Sequence, residues 1–155
     1  MSTAMKVRDW MTPDPVTVTL RTSVLSARRL VHLYGIRHLP VVAEGARVVG
    51  MVSDRELLTN DPLIAQALST LQSDLLSGRY RQVEAVMASP VPTANADEPI
   101  AAAADLMLQE RIAALPVLDR GRLVGILTTT DCLRALLASA REAEQDRVFA
   151  HLAGA

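Results

Sequence analysis

Two short segments of the chain set a hydroxyl three residues ahead of a carboxylate. One is Gly125-Ile126-Leu127-Thr128-Thr129-Thr130-Asp131, the other Gly50-Met51-Val52-Ser53-Asp54-Arg55-Glu56. In each, a glycine and two apolar residues suited to a strand precede the hydroxyl, and an apolar helical run follows the carboxylate. A hydroxyl at the mouth of a helix can hydrogen-bond a phosphate, where unpaired backbone N–H groups already favour an anion. A carboxylate one turn further on can grip the two hydroxyls of a ribose. The same Ser/Thr-x-x-acid spacing is also a capping box that simply starts a helix. Taken alone the motif allows both readings, and its surroundings must decide.

Those surroundings are duplicated. Val7-Arg8-Asp9-Trp10-Met11 corresponds to Val83-Glu84-Ala85-Val86-Met87, each a helix-like piece ending in Met. A Pro-containing turn then leads to a predicted strand, Pro15-Val16-Thr17-Val18 in one copy and Pro90-Val91-Pro92-Thr93 in the other. Thr22-Ser23-Val24 and Asp97-Glu98-Pro99-Ile100 read as helix starts, each with a capping side chain and the second with a first-turn proline. The helices share an apolar spacing near 3.6: Val24, Ala27, Leu30 and Val31 against Ile100, Ala103, Leu106 and Met107. Gly35-Ile36-Arg37-His38-Leu39-Pro40-Val41-Val42 and Arg111-Ile112-Ala113-Ala114-Leu115-Pro116-Val117-Leu118 are helix exits feeding strands. Turns at Glu44-Gly45-Ala46 and Asp119-Arg120-Gly121, the first one residue longer, lead to a third strand and then to the opening motif. Each half is predicted as strand–helix–strand–strand–helix. Neither half is large enough to bury its sheet alone, so the two are expected to pack together.

Residues 59–82 between the halves are predicted to form a helical linker. Asp61-Pro62 starts it, Leu63, Ile64, Ala67, Leu68, Leu71 and Leu75 form its apolar stripe, and Ser77-Gly78 stops it. The last helix is predicted from Cys132 to Leu152, apolar at Leu133, Leu136 and Leu137 and polar from Arg141 to Arg147.

Composition narrows the function further. At 155 residues the chain fits one compact domain or two closely joined ones, with a core of Val, Leu, Ile, Ala and Met because aromatics make up only 3%. No apolar run approaches the roughly 18 residues of a membrane span, so no membrane partner is expected. The N-terminal residues do not read as a signal peptide. Cys132 is the sole cysteine, which excludes an internal disulfide and points to a cytoplasmic location. A net charge of −1 argues against nucleic-acid binding by bulk electrostatics. His32, His38 and His151 are scattered, and there is no phosphate-loop glycine motif, paired-His metal motif or Gly-x-Ser-x-Gly. No catalytic or metal site is expected, and the chain does not read as an enzyme.

In order, spacing and duplication these motifs resemble a tandem of cystathionine β-synthase (CBS) domains, the Bateman module. The resemblance divides the chain into a first repeat at 6–58, a helical linker at 59–82, a second repeat at 83–137 and a C-terminal helical tail at 138–155. It implies an α/β fold of two β-α-β-β-α repeats about a pseudo-twofold axis, with helices on one side of small mixed sheets. It also implies a stand-alone regulatory module that senses an adenosine compound and passes the change to a target protein, usually as a homodimer. AMP, ADP, ATP, S-adenosylmethionine and sometimes a dinucleotide are the ligands the family takes, in clefts between the repeats.

Carried over residue by residue, one cleft joins Thr128 and Asp131 to Val16, Thr17, Thr19, Ile36 and Arg37, with His38 close by. The other joins Ser53 and Glu56 to Val91, Ala94, Ile112 and Ala113. In the family pattern the carboxylate holds the ribose, the hydroxyl faces phosphate, and apolar and backbone groups hold adenine. Glu56 departs from the usual Asp. Its cleft also borrows a strand entry, Ile112-Ala113-Ala114, that carries no positive charge, leaving Arg55 as a local source. The Asp131 cleft, with Arg37 to face phosphate, is therefore expected to bind more tightly. The alternative is a dimerisation or interaction module of the same fold with no nucleotide ligand; Glu56 favours it, and the intact Thr128/Asp131 pair opposes it.

Overall fold

The computed structural model of the chain describes residues 5–60 and 81–153. The predicted linker helix, with its leucine stripe, lies outside the described residues except at its two ends. In chain order the elements are β1 (Thr12–Pro13), α1 (Val24–Tyr34), β2 (His38–Ala43), β3 (Arg47–Ser53) and α2 (Asp54–Thr59). They continue with β4 (Ala94–Asn95), α3 (Ile100–Glu110), β5 (Ala114–Asp119), β6 (Arg122–Thr128) and α4 (Thr129–Ala153).

The duplication reaches the level of register. The β2–β3 and β5–β6 hairpins pair His38 with Ser53 and Ala114 with Thr128, and each carries an irregularity one residue past a buried valine, Val41 or Val117. The shorter turn, Arg120-Gly121, has φ of 49° and 78°, the double left-handed geometry that closes a two-residue hairpin. The longer one, Glu44–Ala46, has Gly45 at φ 71° and Ala46 at 59°. The extra residue is thus absorbed in the turn and leaves the ladder unshifted.

The first predicted strand of each half shortens to almost nothing. Val18 alone bridges Val41 in parallel, its N–H donating to Pro40 O at 3.1 Å. In the second half β4 falls at Ala94–Asn95 beside Val117–Leu118, after the segment predicted as strand. Pro13, Pro15, Pro90 and Pro92 have no N–H to donate, so parallel pairing begins only beyond the last proline.

Along β5 and β6 the alternation of side chains builds two layers. Leu115, Val117 and Leu127 point to α3 and α4, where they join Ile100, Ala103, Met107 and Ala135. Ala114 and Ile126 point the other way and meet Met51 of β3. In the first half Leu39, Val41 and Val52 pack with Val24, Ala27 and Leu57 in the same manner. Each sheet therefore has helices on one face and the opposite half on the other.

Each core is completed from across the pseudo-twofold axis. The two short pieces ending in Met are 3₁₀ turns at Val7–Asp9 and Val83–Ala85. Val7 is buried in the second-half core and Val83 in the first. Their backbones are tied down as well: Val7 N–H donates to Glu98 O at 3.0 Å and Val83 N–H to Thr22 O at 2.8 Å. β1 then pairs with β6, while Ala88 bridges Met51. Met87 packs on Gly50, where an added Cβ would lie 2.5 Å from its sulfur and 2.8 Å from the Ala88 carbonyl oxygen. Met11 and Gly125 make the matching pair. The Met and the Gly of the repeated pattern are thus two sides of one contact between halves.

Helix ends follow the sequence with three exceptions: the last helix starts at Thr129 rather than Cys132, Pro99 precedes the first turn of its helix, and Asp97 does not cap. Ser23 caps α1, accepting from Ser26 N–H at 3.1 Å, and Gly35 ends it at φ 61°. The corresponding cap of α3 is Pro99, with no side-chain bond. Asp97, predicted to lie in that capping position, instead accepts a two-pronged hydrogen bond from Arg8 at 2.8 and 2.9 Å and a third from Lys6 at 3.2 Å. Among the described residues no helix is long and apolar enough to cross a membrane.

Candidate functional site

Both hydroxyl–carboxylate motifs sit where a hairpin's second strand turns into a helix. At the first, the Ser53 N–H donates to Glu56 Oε2 at 2.6 Å and the Ser53 hydroxyl donates to the same oxygen. At the second, Thr128 N–H and Oγ1 donate to Asp131 Oδ2 at 2.8 and 2.7 Å, and Asp131 N–H donates to Thr128 Oγ1 at 3.4 Å. The capping-box reading is therefore realised in both copies. The extra methylene of Glu56 makes no difference to it, because both carboxylates spend one oxygen on the same two donors.

The second oxygen separates them. Asp131 is 4% exposed, and its Oδ1 accepts from Arg134 at 3.3 Å. Glu56 is half-buried, and among the described residues its Oε1 has no such partner. It opens on a cleft of about 410 Å³ lined by Ser53, Asp54, Arg55 and Glu56 of one half and Arg111, Ile112, Ala113 and Ala114 of the other. Met51, Ala88, Val91 and Pro92 complete an apolar wall, and Arg37 and His38 the remaining side. A volume of this order is that of a small-molecule site.

Of the residues carried over to this cleft, Ser53, Glu56, Val91, Ile112 and Ala113 do line it. Ala94 does not: it is buried in the second-half core opposite Val117. A larger correction concerns charge. Arg37 and His38, assigned from the sequence to the Asp131 cleft, line the Glu56 cleft. The hairpin explains it, since antiparallel pairing of His38 with Ser53 sets the residue entering β2 beside the residue leaving β3. Asp54 N–H donates to Arg37 O at 2.8 Å, and Thr129 N–H to Ala113 O at 3.1 Å in the other half. Beyond Arg55, the one local charge expected from the sequence, Arg37 and Arg111 also line the cleft.

The remaining carried-over residues lie along the first half. Val16 and Ile36 pack against the first-half core, and Thr17 is exposed. Thr19 closes a turn, its N–H donating to Thr22 Oγ1 at 3.0 Å.

Burial holds the His38 imidazole below its ordinary range, an effect that nearby Asp54 and Glu56 oppose and Arg37 reinforces. His38 is thus a neutral group at pH 7. Arg111 was not singled out from the sequence. Its signal was there in the duplication: it occupies the helix-exit position that Gly35 fills in the first half. Both are left-handed, with φ of 55° and 61°. For a residue with a Cβ that geometry costs about 1–2 kcal/mol. Among the described residues no cluster of three or more His, Cys, Asp or Glu is placed to hold a metal.

A family model described as CBS domain matches the chain twice, at residues 7–62 and 83–138. Homoserine O-acetyltransferase of Methanosphaerula palustris is 32% identical over 131 residues, covering 84% of this chain and 24% of that protein. The chain thus spans about a quarter of the length of the first curated relatives it matches. Among solved structures, the CBS domain pair of protein MJ0100 in complex with 5′-methylthioadenosine and S-adenosyl-L-methionine has a TM-score of 0.72 at 27% identity, covering 88% of this chain and 99% of that one. CBSX2 in complex with AMP has a TM-score of 0.71 at 31% identity, covering 87% and 98%. With the crossed cores and the paired hairpins, these matches show that the chain belongs to the CBS domain family, as two CBS domains in tandem.

Proposed function

We propose that the chain is a regulatory module that binds an adenosine compound between its halves and passes the resulting change to a target protein, as a homodimer. One observation carries this reading: the Glu56 cleft has walls from both halves, so a ligand in it touches both at once. Such a ligand shifts the arrangement of the halves only by its differential affinity for two states. The apolar wall suits a flat base, the free Glu56 oxygen suits ribose hydroxyls, and the arginines suit phosphate. Relatives of the same fold solved with AMP, S-adenosylmethionine and methylthioadenosine support the ligand class. For dimerisation the support is an apolar groove of about 670 Å³ along α3 and α4, with Leu108 77% and Leu136 64% exposed.

The geometry favours the Glu56 cleft over Asp131 as the first to fill, the reverse of the order expected from the sequence. At Asp131 a ligand must displace Arg134, whereas Glu56 has an oxygen to offer. Thermal-shift and calorimetric titration with AMP, ADP, ATP, S-adenosylmethionine and NAD tests the reading. A ligand at 100 times its dissociation constant should stabilise the fold by about 2.7 kcal/mol. Glu56→Ala should abolish the larger part of that ligand-induced shift, and Asp131→Ala the smaller part. Because either change also removes a cap worth about 1 kcal/mol, the shift is taken against each variant's own ligand-free midpoint. No shift with any adenosine compound would favour a purely interacting module.

A further inference from the structure

The duplication allows the helical faces of the two halves to be compared position by position. Each half has a groove between its two helices, about 510 Å³ beside α1 and α2 and about 670 Å³ beside α3 and α4. The repeat superposes Arg28 on Ala104, His32 on Leu108, Asp54 on Thr129 and Leu58 on Leu133, all of which line their grooves. The position is shared and the chemistry is not. The first groove carries Arg28, His32, Asp54 and Arg55 on its walls. The second carries one charged residue, Asp105, whose carboxylate accepts from Gln109 at 2.7 Å.

The helices that bound the grooves differ as well. α2 stops at Thr59, where the Asn60 side chain turns back to donate to Glu56 O at 2.7 Å. α4 runs on to Ala153, and every residue from Ser139 to His151 is exposed. A helical stretch wetted on all sides has little beyond its own propensity to hold it, and isolated helices shorter than about 12–15 residues are marginal in water. The extension therefore calls for cover. Leu133, Leu136, Leu137 and Ala140 recur along it at three- and four-residue spacing and are all exposed, so one apolar stripe leads from the groove onto the extension.

Resting on the homodimer reading above, we propose that a second copy docks on the α3–α4 face alone, second half against second half about a twofold axis. The α1–α2 face stays outside the contact. A twofold contact brings a surface against itself, and an apolar groove meets that demand with no charge to match. Turning one copy end for end would press Arg28, Asp54 and Arg55 onto Leu108 and Leu133. Those charges would lose water against a groove that offers a single carboxylate. Pairing the first halves instead would set two arginines of each copy against those of the other, with one aspartate from each to offset them.

The test uses the full chain and a matched pair of positions, Leu133 and its counterpart Leu58. Sedimentation velocity over a dilution series gives the dimer dissociation constant of wild type, Leu133→Arg and Leu58→Arg. Leu133→Arg should raise it on the order of a hundredfold or more, because the substitution enters a twofold contact twice. Leu58→Arg should leave it unchanged. Both leucines are exposed in the single chain, so circular dichroism should show either variant folded. A short bis-maleimide then reads the orientation. In a Cys132→Ser background, Leu133→Cys should cross-link to its own copy, and Leu58→Cys should not.

A cross-link that forms only when Leu133→Cys and Leu58→Cys chains are mixed would overturn the proposal in favour of the end-for-end arrangement. Self-cross-linking of Leu58→Cys, or a dimer indifferent to Leu133→Arg, would overturn it too. In each of these cases the homodimer reading stands. Wild type that remains a monomer throughout the dilution series would overturn both.

Discussion

His38 shows how one side chain reports on its cleft. Its imidazole is held below the ordinary value of 6.5 chiefly by burial, while Asp54 and Glu56 pull the other way. A base whose folded pKa is depressed binds protons more readily in the unfolded chain. Stability from this residue is therefore fully present above pH 6.5 and declines as the pH falls from there toward the lower folded value. Denaturant titrations across that window should show the decline, and His38→Gln should flatten it. At the same scale, the hydroxyl–carboxylate motifs were legible as motifs but not as partners. Ser53 and Glu56 announced their box by spacing, whereas the placement of Arg37 beside them required the hairpin register.

Between elements, the tightest constraint is where a leading segment crosses a strand. The Cβ of Gly50→Ala would press on the Met87 sulfur and, 2.8 Å away, on the Ala88 carbonyl oxygen. The sulfur can swing aside, but the carbonyl cannot, since Ala88 is tied to Met51 by backbone hydrogen bonds in both directions. Overpacking of this kind costs typically 1–3 kcal/mol, so urea melts of Gly50→Ala should show a loss in that range. Shortening the sulfur side with Met87→Ala in the same chain should recover only part of it.

The elements themselves were largely legible. Apolar spacing marked α1 and α3, and the repeated glycine–strand–hydroxyl pattern marked β3, β6 and the helices after them. What failed was local chemistry decided at long range. Strand segments dense in proline lost their pairing, and Asp97, suited to a cap, was claimed by Arg8 and Lys6 from the other half.

For the whole molecule, the sequence repeats and the packing units are offset. The resemblance draws a boundary at the start of each repeat, yet the segments that open the repeats, at Val7 and Val83, pack into the opposite cores. Sequence could not reveal that Val7 and Val83 change sides, because a buried valine reads the same in either core. The halves are already stitched together by two backbone crossings, so a ligand of the kind proposed would move them only as far as those crossings permit.

The exchanged valines also make a statement about severed chains. If the backbone is cut near residue 70, the N-terminal piece keeps Val7 but lacks the plug for its own socket, and the C-terminal piece keeps Val83 with the converse defect. Each piece is a lock carrying the other's key. Expressed separately, the fragments should give poorly dispersed amide spectra and no sharp thermal transition; mixed, they should recover a folded one-to-one complex. Independent folding of either fragment as a monomer would show that the crossings decorate the halves rather than complete them.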